Sequence, residues 1–354
     1  MSRLLVRKPV RHTFVLIMTL VGLSALLTLW RQQFLRALGA FETAHVKNTK
    51  KSNPKIAFVA PLMCFGLEFE HRNFTTRLLG GIDAPVEHVV AVLSGEDPSL
   101  QTLERRIRQD YPFCRIIREK RRLGNVGIWN TCLRYMRDVA NAPWALLLNN
   151  DMMLPPGSLA NVSAVAKEVI QDPEFCLGPM KIRNIKGFVW SSLVVTRRTL
   201  DVLGFFDENI FPAYYEDNEY DIRIQKTHQS GTPCRLIPVR AANSFHHGPE
   251  DSEDYISGTV IYYNDGGNPA KKAIQDRANA WNPHYVALKW NCPPYRWGEC
   301  KNTHPFNRND LSVRDWFLDP AYRHCIETGD SQGNFGCRYN QGVLPSAPPA
   351  AFTD

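Results

Sequence analysis

The sequence predicts an α/β fold in which a mostly parallel sheet is flanked by helices. Short apolar runs alternate with stretches of helical apolar spacing, and residues 144–148 form the continuous apolar run that a buried parallel strand needs. The predicted strands are residues 55–60, 88–93, 115–117, 144–148 and 188–195, and the predicted helices are residues 100–108, 127–139 and 158–170. A chain of 354 residues is long enough to bury one large core of this kind and to carry an appended tail.

Three polar residues, Asn149, Asn150 and Asp151, follow the apolar run 144–148 directly. An acid at the carboxyl end of a strand lies where open α/β sheets bind their ligands. His246 and His247 follow a second apolar-to-polar boundary, so Asp151 and one histidine could supply the oxygen and nitrogen ligands of a metal site. The alternative is an ordinary turn histidine.

Acidic and aromatic residues are concentrated between positions 204 and 223. The acids are Asp207, Glu208, Glu216, Asp217, Glu219 and Asp221. Carboxylates beside aromatic rings indicate a site that binds a polar ligand and performs acid–base chemistry on it. The alternative is that these acids only favour the start of a helix. Glu219 precedes Arg223 by four residues, a spacing typical of an ion pair on a helix surface, so Glu219, Asp221 and Arg223 are assigned a structural role.

Five motifs follow one another in a fixed order along the chain. They are Asn125, Gly127 and Asn130; LLLNNDMMLPPGSL at 146–159; GFFDENIF at 204–211; YYED at 214–217; and then His246 or His247. In this order and spacing, residues 55 to 250 resemble the GT-A glycosyltransferases, in particular the family-two type. The resemblance implies a GT-A (Rossmann-like) sheet and an inverting transfer of sugar from a nucleotide-sugar donor to a hydroxyl of a glycan or glycoconjugate.

The resemblance also implies roles for single residues. Asp217 corresponds to the general base, and Glu216 beside it would orient the hydroxyls of the acceptor. Asp151 would bind Mn²⁺ or Mg²⁺, which neutralises the donor diphosphate as its bond to the sugar breaks. His246 would be the second protein ligand, with His247 as its substitute.

The nucleotide side of the site is expected to include Asn125, Gly127, Asn149, Asn150 and Asp151. The sequence departs from the family pattern at Asn149, where many relatives carry an aspartate. An asparagine can accept a hydrogen bond from a ribose hydroxyl but adds no charge, so metal affinity is expected to be lower than in those relatives. The first strand lacks the usual Thr-Tyr-Asn-Arg-like ending, so base contacts there are not carried over.

The basic run at 118–122 could bind phosphate, although a solvated turn is the favoured interpretation.

The amino terminus predicts a membrane anchor. Residues 13–30 are an uncharged, mainly apolar run of 18 residues, which as a helix would span ~27 Å. A cleaved signal peptide is the alternative, but no small-x-small cleavage site closes the run. Four basic residues precede it, so residues 1–12 are expected in the cytosol. This pattern predicts a type II protein of the Golgi membrane, or alternatively of the endoplasmic reticulum, with a stem at 31–54 and a lumenal catalytic domain at 55–250.

The charge distribution argues against nucleic acid as a partner. Residues 1–51 hold nine Lys or Arg and one Glu, a net of +8, and the whole chain carries +7, which leaves residues 52–354 at −1. The basic charge therefore belongs to the predicted anchor and stem, and the catalytic region needs no basic face.

Lumenal placement would allow the nine cysteines to form disulfides. Cys292 with Cys300, and Cys325 with Cys337, are close enough in sequence to pair. The other five lie in the catalytic region, where buried thiols are the default expectation and disulfides the alternative; they are Cys64, Cys114, Cys132, Cys176 and Cys234. An odd count leaves one cysteine unpaired or paired with another chain, so a homodimer is among the possible assemblies. Glycosylation sequons occur at Asn73 and Asn161.

Residues 251–343 are predicted to be an extension on the acceptor side, and residues 344–354 a disordered tail. The extension contains aromatic and amide residues typical of sugar binding, among them Asn282, Tyr285 and Trp290, although core packing explains such aromatics equally well.

Two other functions remain open. A lectin-like protein would bind a nucleotide sugar or glycan without turnover, and its only support is the missing acid at Asn149. A retaining transferase of the same fold would need no base at Asp217.

Overall fold

The computed structural model describes residues 58–70, 73–180, 189–240, 245–246, 269–314 and 320–329. All of them belong to one of the two units into which the chain divides, Ala57–Asp354. The predicted anchor and stem, His247 and the predicted tail lie outside these residues. Within the described ranges, no helix combines the length and the hydropathy of a membrane span.

Nine strands are present in the described residues. They are β1 Ala60–Leu67, β2 Val86–Ser94, β3 Cys114–Glu119, β4 Trp144–Asn149, β5 Met152–Met153, β6 Phe175–Met180, β7 Val189–Thr196, β8 Arg235–Leu236 and β9 Phe245–His246. Seven of them form one sheet in the order β3-β2-β1-β4-β7-β6-β8, and β5 with β9 forms a separate pair. Strands β1 to β4 are parallel, whereas β7 runs antiparallel to both of its neighbours. The sheet is therefore mixed and mostly parallel, as predicted.

The helices of the described residues are α1 Phe74–Gly80, α2 Pro98–Asp110, α3 Gly124–Arg134, α4 Ser158–Val169, α5 Arg197–Leu203, α6 Glu216–Gln229, α7 Pro269–Trp290 and α8 Pro320–Thr328. A π-helical turn, Tyr135–Val139, extends α3, and short 3₁₀ turns occupy Trp297–Glu299 and Pro305–Asn307. Local interactions explain where helix α2 begins. Asp97 accepts a hydrogen bond from the Ser99 amide at 3.0 Å to cap α2, and Pro98 occupies its first turn.

Both faces of the large sheet are covered by apolar residues. In β1, Leu62 and Cys64 belong to one core, and Met63 and Phe65 to the other, because alternate side chains of a strand point to opposite faces. This two-sided burial explains why the central strands are apolar runs without polar alternation.

One strand prediction was wrong. The first strand is Ala60–Leu67 rather than residues 55–60, because the buried sequence APLMCFGL lies between β2 and β4 and accommodates Pro61 near its start. Strand β6 was not predicted at all. Its sequence, FCLGPM, contains a glycine and a proline, yet every residue in it is buried.

The disulfides differ from the prediction for four cysteines. Cys64 is bonded to Cys132, which ties β1 to α3, and Cys176 is bonded to Cys234, which ties β6 to the residue before β8. The expectation of buried thiols is therefore wrong for these four cysteines. It holds for Cys114, where burial raises the pKa of the thiol to about 12. The Cys292–Cys300 pair is confirmed. Cys325 is also disulfide-bonded, and Cys337 lies outside the described residues.

Candidate active site

The carboxyl ends of β1 and β4 lie side by side at one edge of the sheet. Gly66 of β1 pairs with Asn149 of β4. A Cβ at Gly66 would lie 2.4 Å from Ile128 Cγ2 and 2.7 Å from the Val92 carbonyl oxygen, so only glycine fits at this position. Asn149 and Asn150 are half-buried there, and Asp151 is 3 % exposed.

Strands β5 and β9 bring the two predicted metal ligands into the same region. Met152, the residue after Asp151, pairs with His246 in antiparallel register. The His246 backbone therefore lies opposite the residue that follows Asp151. A carboxylate and an imidazole suit Mn²⁺ or Mg²⁺ when diphosphate oxygens and water supply the other ligands. In the part of the chain that the structure describes, no group of three or more His, Cys, Asp or Glu side chains could hold a metal alone.

Glu68 connects the end of β1 to the start of α3. Its carboxylate accepts hydrogen bonds from the Gly124 amide at 2.7 Å and from Arg122 Nη2 at 3.0 Å. Gly124 has φ +70°, and a Cβ there would lie 2.7 Å from the Pro212 carbonyl oxygen. The close approach of two backbone segments at Gly124 thus requires glycine.

Asn125 connects α3 to α6, the helix that carries the predicted base. Its side-chain amide donates to Glu216 Oε1 at 2.9 Å, and its backbone amide donates to the Pro212 carbonyl at 2.7 Å. Tyr214 and Tyr215, immediately before α6, have φ values of 73° and 77°. Left-handed backbone at two consecutive tyrosines costs free energy and is typical of functional sites.

Burial dominates the electrostatics of the two acids in the first turn of α6. Glu216 is 7 % exposed, and burial raises its pKa to about 7, with the negative charge of Asp217 as the next cause. Burial also raises the pKa of the half-buried Asp217. Glu216 Oε2 has no hydrogen-bond partner among the described residues. The adjacent carboxylates therefore hold a proton at a pH where isolated carboxylates have lost theirs.

We expect Glu216→Gln to stabilise the protein at high pH. Because the folded state raises the Glu216 pKa from 4.5 to about 7, the folded state binds more protons than the unfolded chain, and stability falls as pH rises through this interval. Glutamine cannot ionise, so the variant should exceed the wild type at pH 8 by on the order of 1–3 kcal/mol, with little difference at pH 4.5. Urea unfolding across this pH range measures the effect.

Glu96→Gln is the matched control, because it makes the same exchange of carboxylate for amide at an exposed position. A Glu216→Gln curve that ran parallel to the wild-type curve would contradict the raised pKa.

Two residues of the motif formed by Asn125, Gly127 and Asn130 have packing roles. The Asn130 side chain is buried and bonds both the amide and the carbonyl of Phe206, each at 2.9 Å, and also Glu208 at 2.9 Å. These hydrogen bonds attach α3 to the loop of residues 204–208, the start of the GFFDENIF motif. Gly127 is buried inside α3, where a Cβ would lie 2.9 Å from Leu123 Cβ.

The interpretation of Glu219 and Arg223 as a surface ion pair was wrong. Both side chains are fully buried and contact each other. Lys289 of α7, also fully buried, lies 2.8 Å from Glu219 Oε1 and 2.8 Å from Asp207 Oδ2. Trp290 Nε1 donates to Glu219 at 3.2 Å. Two buried carboxylates and two buried cationic side chains thus fix α6 to α7 and to the loop of residues 204–208. The structural role predicted for Glu219 and Arg223 agrees with these contacts.

Two aromatic residues of the predicted sugar-binding extension pack in the core instead. Tyr285 is 1 % exposed and Trp290 is 0 % exposed. Tyr285 donates its hydroxyl to Asp207 at 2.6 Å. A signal for this buried cluster was available in the sequence, since Lys289 stands between Leu288 and Trp290 in a mostly apolar stretch.

Two arginines of the basic run 118–122 bond to other residues of the chain. Arg118 donates to the Leu93 carbonyl at 2.9 Å, and Arg122 pairs with Glu68. Lys120 and Arg121 are exposed.

No protein-family model matches the chain, and no curated protein matches it. Among solved structures, it is similar to the mannosyltransferase PcManGT from Pyrobaculum calidifontis in complex with GDP-Man and Mn²⁺, with 17 % identity, a TM-score of 0.42 and coverage of 69 % of this chain and 71 % of that one. It is also similar to GalNAc-T7 with UDP, GalNAc and Mn²⁺, with 11 % identity, a TM-score of 0.38 and coverage of 69 % and 56 %. A third is glucosyl-3-phosphoglycerate synthase from Mycobacterium tuberculosis, with 12 % identity, a TM-score of 0.37 and coverage of 55 % and 74 %.

These likenesses are too distant to define a family for the chain. Its described residues form a seven-stranded mixed sheet flanked by helices.

Proposed function

We propose that this chain is an inverting glycosyltransferase that moves a sugar from a nucleotide-sugar donor to a hydroxyl of a glycan or glycoconjugate. The observation that carries the proposal is the connection of three motifs at one edge of the sheet. Glu68, after β1, bonds Gly124, and the next residue, Asn125, bonds Glu216 beside Asp217. Because β1 and β4 are neighbours, this chain of contacts begins next to the strand that leads to Asp151.

The proposed reaction follows from these positions. The acceptor oxygen attacks the anomeric carbon from the face opposite the leaving group and forms the new glycosidic bond. The bond between the anomeric carbon and the diphosphate oxygen breaks, and its electron pair leaves with the nucleoside diphosphate. Asp217 accepts the proton of the acceptor hydroxyl. A divalent cation held by Asp151 and His246 would neutralise charge on the departing diphosphate.

Asp217 suits the role of base better than its neighbour. Glu216 is 7 % exposed, and one of its oxygens is engaged by Asn125, whereas Asp217 is half-buried and reachable from solvent. A base must reach the acceptor proton, so accessibility favours Asp217. The raised pKa of Asp217 also makes it a stronger proton acceptor than an ordinary aspartate once it is ionised.

We further propose that the enzyme works in the lumen of the Golgi or the endoplasmic reticulum as a type II membrane protein. Three disulfides between described cysteines suit an oxidising compartment. The apolar run 13–30 supplies the anchor in this proposal.

Donor turnover tests the proposed function. The full chain is incubated with Mn²⁺ and a panel of UDP-, GDP- and CMP-linked sugars, with and without neutral oligosaccharide acceptors, and released nucleotide is measured. We expect release with at least one donor and its loss on addition of a chelator, while Asp151→Asn should raise the Mn²⁺ concentration required. A donor that binds but is never turned over would favour the lectin-like alternative, and a product with the donor's anomeric configuration would establish a retaining reaction.

A further inference from the structure

Three aromatic residues form a cluster beside the first turn of α6, called here the aromatic triad. Tyr215 lies 6.0 Å from Tyr295 and 6.3 Å from Trp297 between ring centroids, and Tyr295 lies 6.2 Å from Trp297. Tyr215 meets Tyr295 and Trp297 edge to face, at interplanar angles of 65° and 69°, and the rings of Tyr295 and Trp297 are tilted by 51° relative to each other. Tyr295 is 61 % exposed, which is unusual for so large a ring.

The segment that carries Tyr295 and Trp297 is held in place by several bonds. The Cys292–Cys300 disulfide closes it into a loop. Lys226 of α6 donates to the Cys300 carbonyl at 2.7 Å, and the Lys301 amide donates to the Asn291 carbonyl at 3.2 Å. The two rings are thus presented by a fixed loop, which lowers the entropic cost of binding a ligand to them.

The aromatic triad is connected to the proposed base through Asn218. In the amide orientation that satisfies both partners, Asn218 Nδ2 donates to Asp217 Oδ1 at 3.3 Å, and Asn218 Oδ1 accepts from Trp297 Nε1 at 3.3 Å. Burial, a hydrogen bond to Tyr295 and the charge of Asp217 together raise the pKa of Tyr215 to about 12. Asp217 therefore lies beside the triad.

We propose that the aromatic triad binds the ring of the acceptor sugar whose hydroxyl attacks the anomeric carbon of the donor. The C–H face of a pyranose would lie on Trp297 and Tyr295, and its hydroxyls would hydrogen-bond to Asp217 and Asn218. This inference rests on the proposed function, because it assigns the substrate class of the same site.

The chemistry around the rings favours a neutral glycan over other ligands. A lipid chain would cover Asp217 and Asn218 without bonding them, which costs free energy. An anionic ligand would be repelled by Asp217 and would find the nearest arginine of the loop already paired, since Arg296 lies 3.2 Å from Glu299. Only a ligand with both apolar faces and hydroxyl groups satisfies the rings and the polar groups together.

Saturation-transfer NMR without donor tests the assignment. The probes are neutral trisaccharides of mannose, glucose, galactose, N-acetylglucosamine or N-acetylgalactosamine, added to the full chain in a detergent without a sugar head group. We expect at least one probe to bind, and we expect Trp297→Ala and Tyr295→Ala each to weaken its Kd by about ten-fold, the effect of losing one aromatic contact. Trp297→Phe, which keeps a ring, should restore most of the affinity.

Phe113→Ala is the matched control. Phe113 is 54 % exposed and also meets another ring, Tyr111, edge to face at 6.1 Å, but it lies before β3 at the opposite end of the parallel strands. This variant should bind the probe as the wild type does.

The outcomes separate the aromatic triad from the proposed function. Binding that survives both triad substitutions, or wild-type protein that binds none of the probes, overturns the assignment. Binding only of acyl chains would assign the rings to a lipid and overturn it as well. If sugar binding depends on the triad but no donor is ever turned over, the assignment stands and the proposed transferase activity fails. If transfer occurs and Trp297→Ala leaves the acceptor KM unchanged, the activity stands and the assignment fails.

Discussion

Asp217→Asn should lower the rate of sugar transfer by about 10²- to 10⁴-fold, the usual contribution of a general base. Asparagine is nearly the same size as aspartate and can still accept a hydrogen bond, but it cannot take the proton of the acceptor hydroxyl. The donor diphosphate does not contact this residue in the proposed reaction. The loss should therefore appear in kcat at saturating acceptor, while donor affinity, measured by calorimetry with the nucleoside diphosphate and Mn²⁺, should remain close to that of the wild type.

Asp221→Asn is the control for this experiment. Asp221 lies one turn farther along α6, has a pKa that burial also raises, and is bonded to Gln225 at 2.9 Å. Its replacement should leave transfer nearly unchanged. Full activity in Asp217→Asn would show that the base is assigned to the wrong residue.

Lys289→Met should destabilise the protein by about 3–5 kcal/mol, because removal of one partner leaves buried opposite charges uncompensated. Lys289 is fully buried and lies 2.8 Å from both Asp207 and Glu219, so methionine would leave two acids with Arg223 as their remaining buried cation. Methionine preserves most of the side-chain volume, so the loss reports charge rather than a cavity. Urea unfolding with the disulfides intact measures the change in free energy.

Lys272→Met is the matched control on the same helix. Lys272 is 56 % exposed and pairs with Asp276 at 2.6 Å, a surface contact whose loss should cost well under about 1 kcal/mol. The double variant Lys289→Met with Asp207→Asn should lose less than the sum of its single variants, since the second change removes an acid left without its partner. Equal losses in Lys289→Met and Lys272→Met would contradict the buried network.

The sequence predicted those features that depend on local pattern. Strand β4 and the polar residues after it follow from a continuous apolar run and its abrupt end. The predicted first strand ended at Ala60, directly before Pro61, whereas β1 begins at Ala60 and the sheet tolerates the proline near the start of this strand. Strand β6 carries a glycine and a proline and depends on its neighbours for its conformation, so no local pattern indicated it.

Contacts between distant residues could not be predicted in the same way. The i,i+4 spacing of Glu219 and Arg223 is the same on a helix surface and in a core, and only the position of Lys289, 70 residues beyond Glu219, shows that the pair is buried. The bond between Asn125 and Glu216 joins residues 91 positions apart. The aromatic triad likewise depends on how the Cys292–Cys300 loop packs against α6.

Metal-directed cleavage shows whether the proposed metal-binding segments and the segment that carries Asp217 line one cleft. Fe²⁺ replaces Mn²⁺ in the full chain with UDP or GDP present, ascorbate and peroxide generate oxidants at the bound ion, and mass spectrometry locates the backbone cuts. We expect cuts near Asp151, near His246 and between Tyr214 and Asn218, all suppressed by excess Mg²⁺ and by Asp151→Asn. Cuts at Asp151 with none between Tyr214 and Asn218 would place the proposed base outside the metal's reach and contradict the proposed active site.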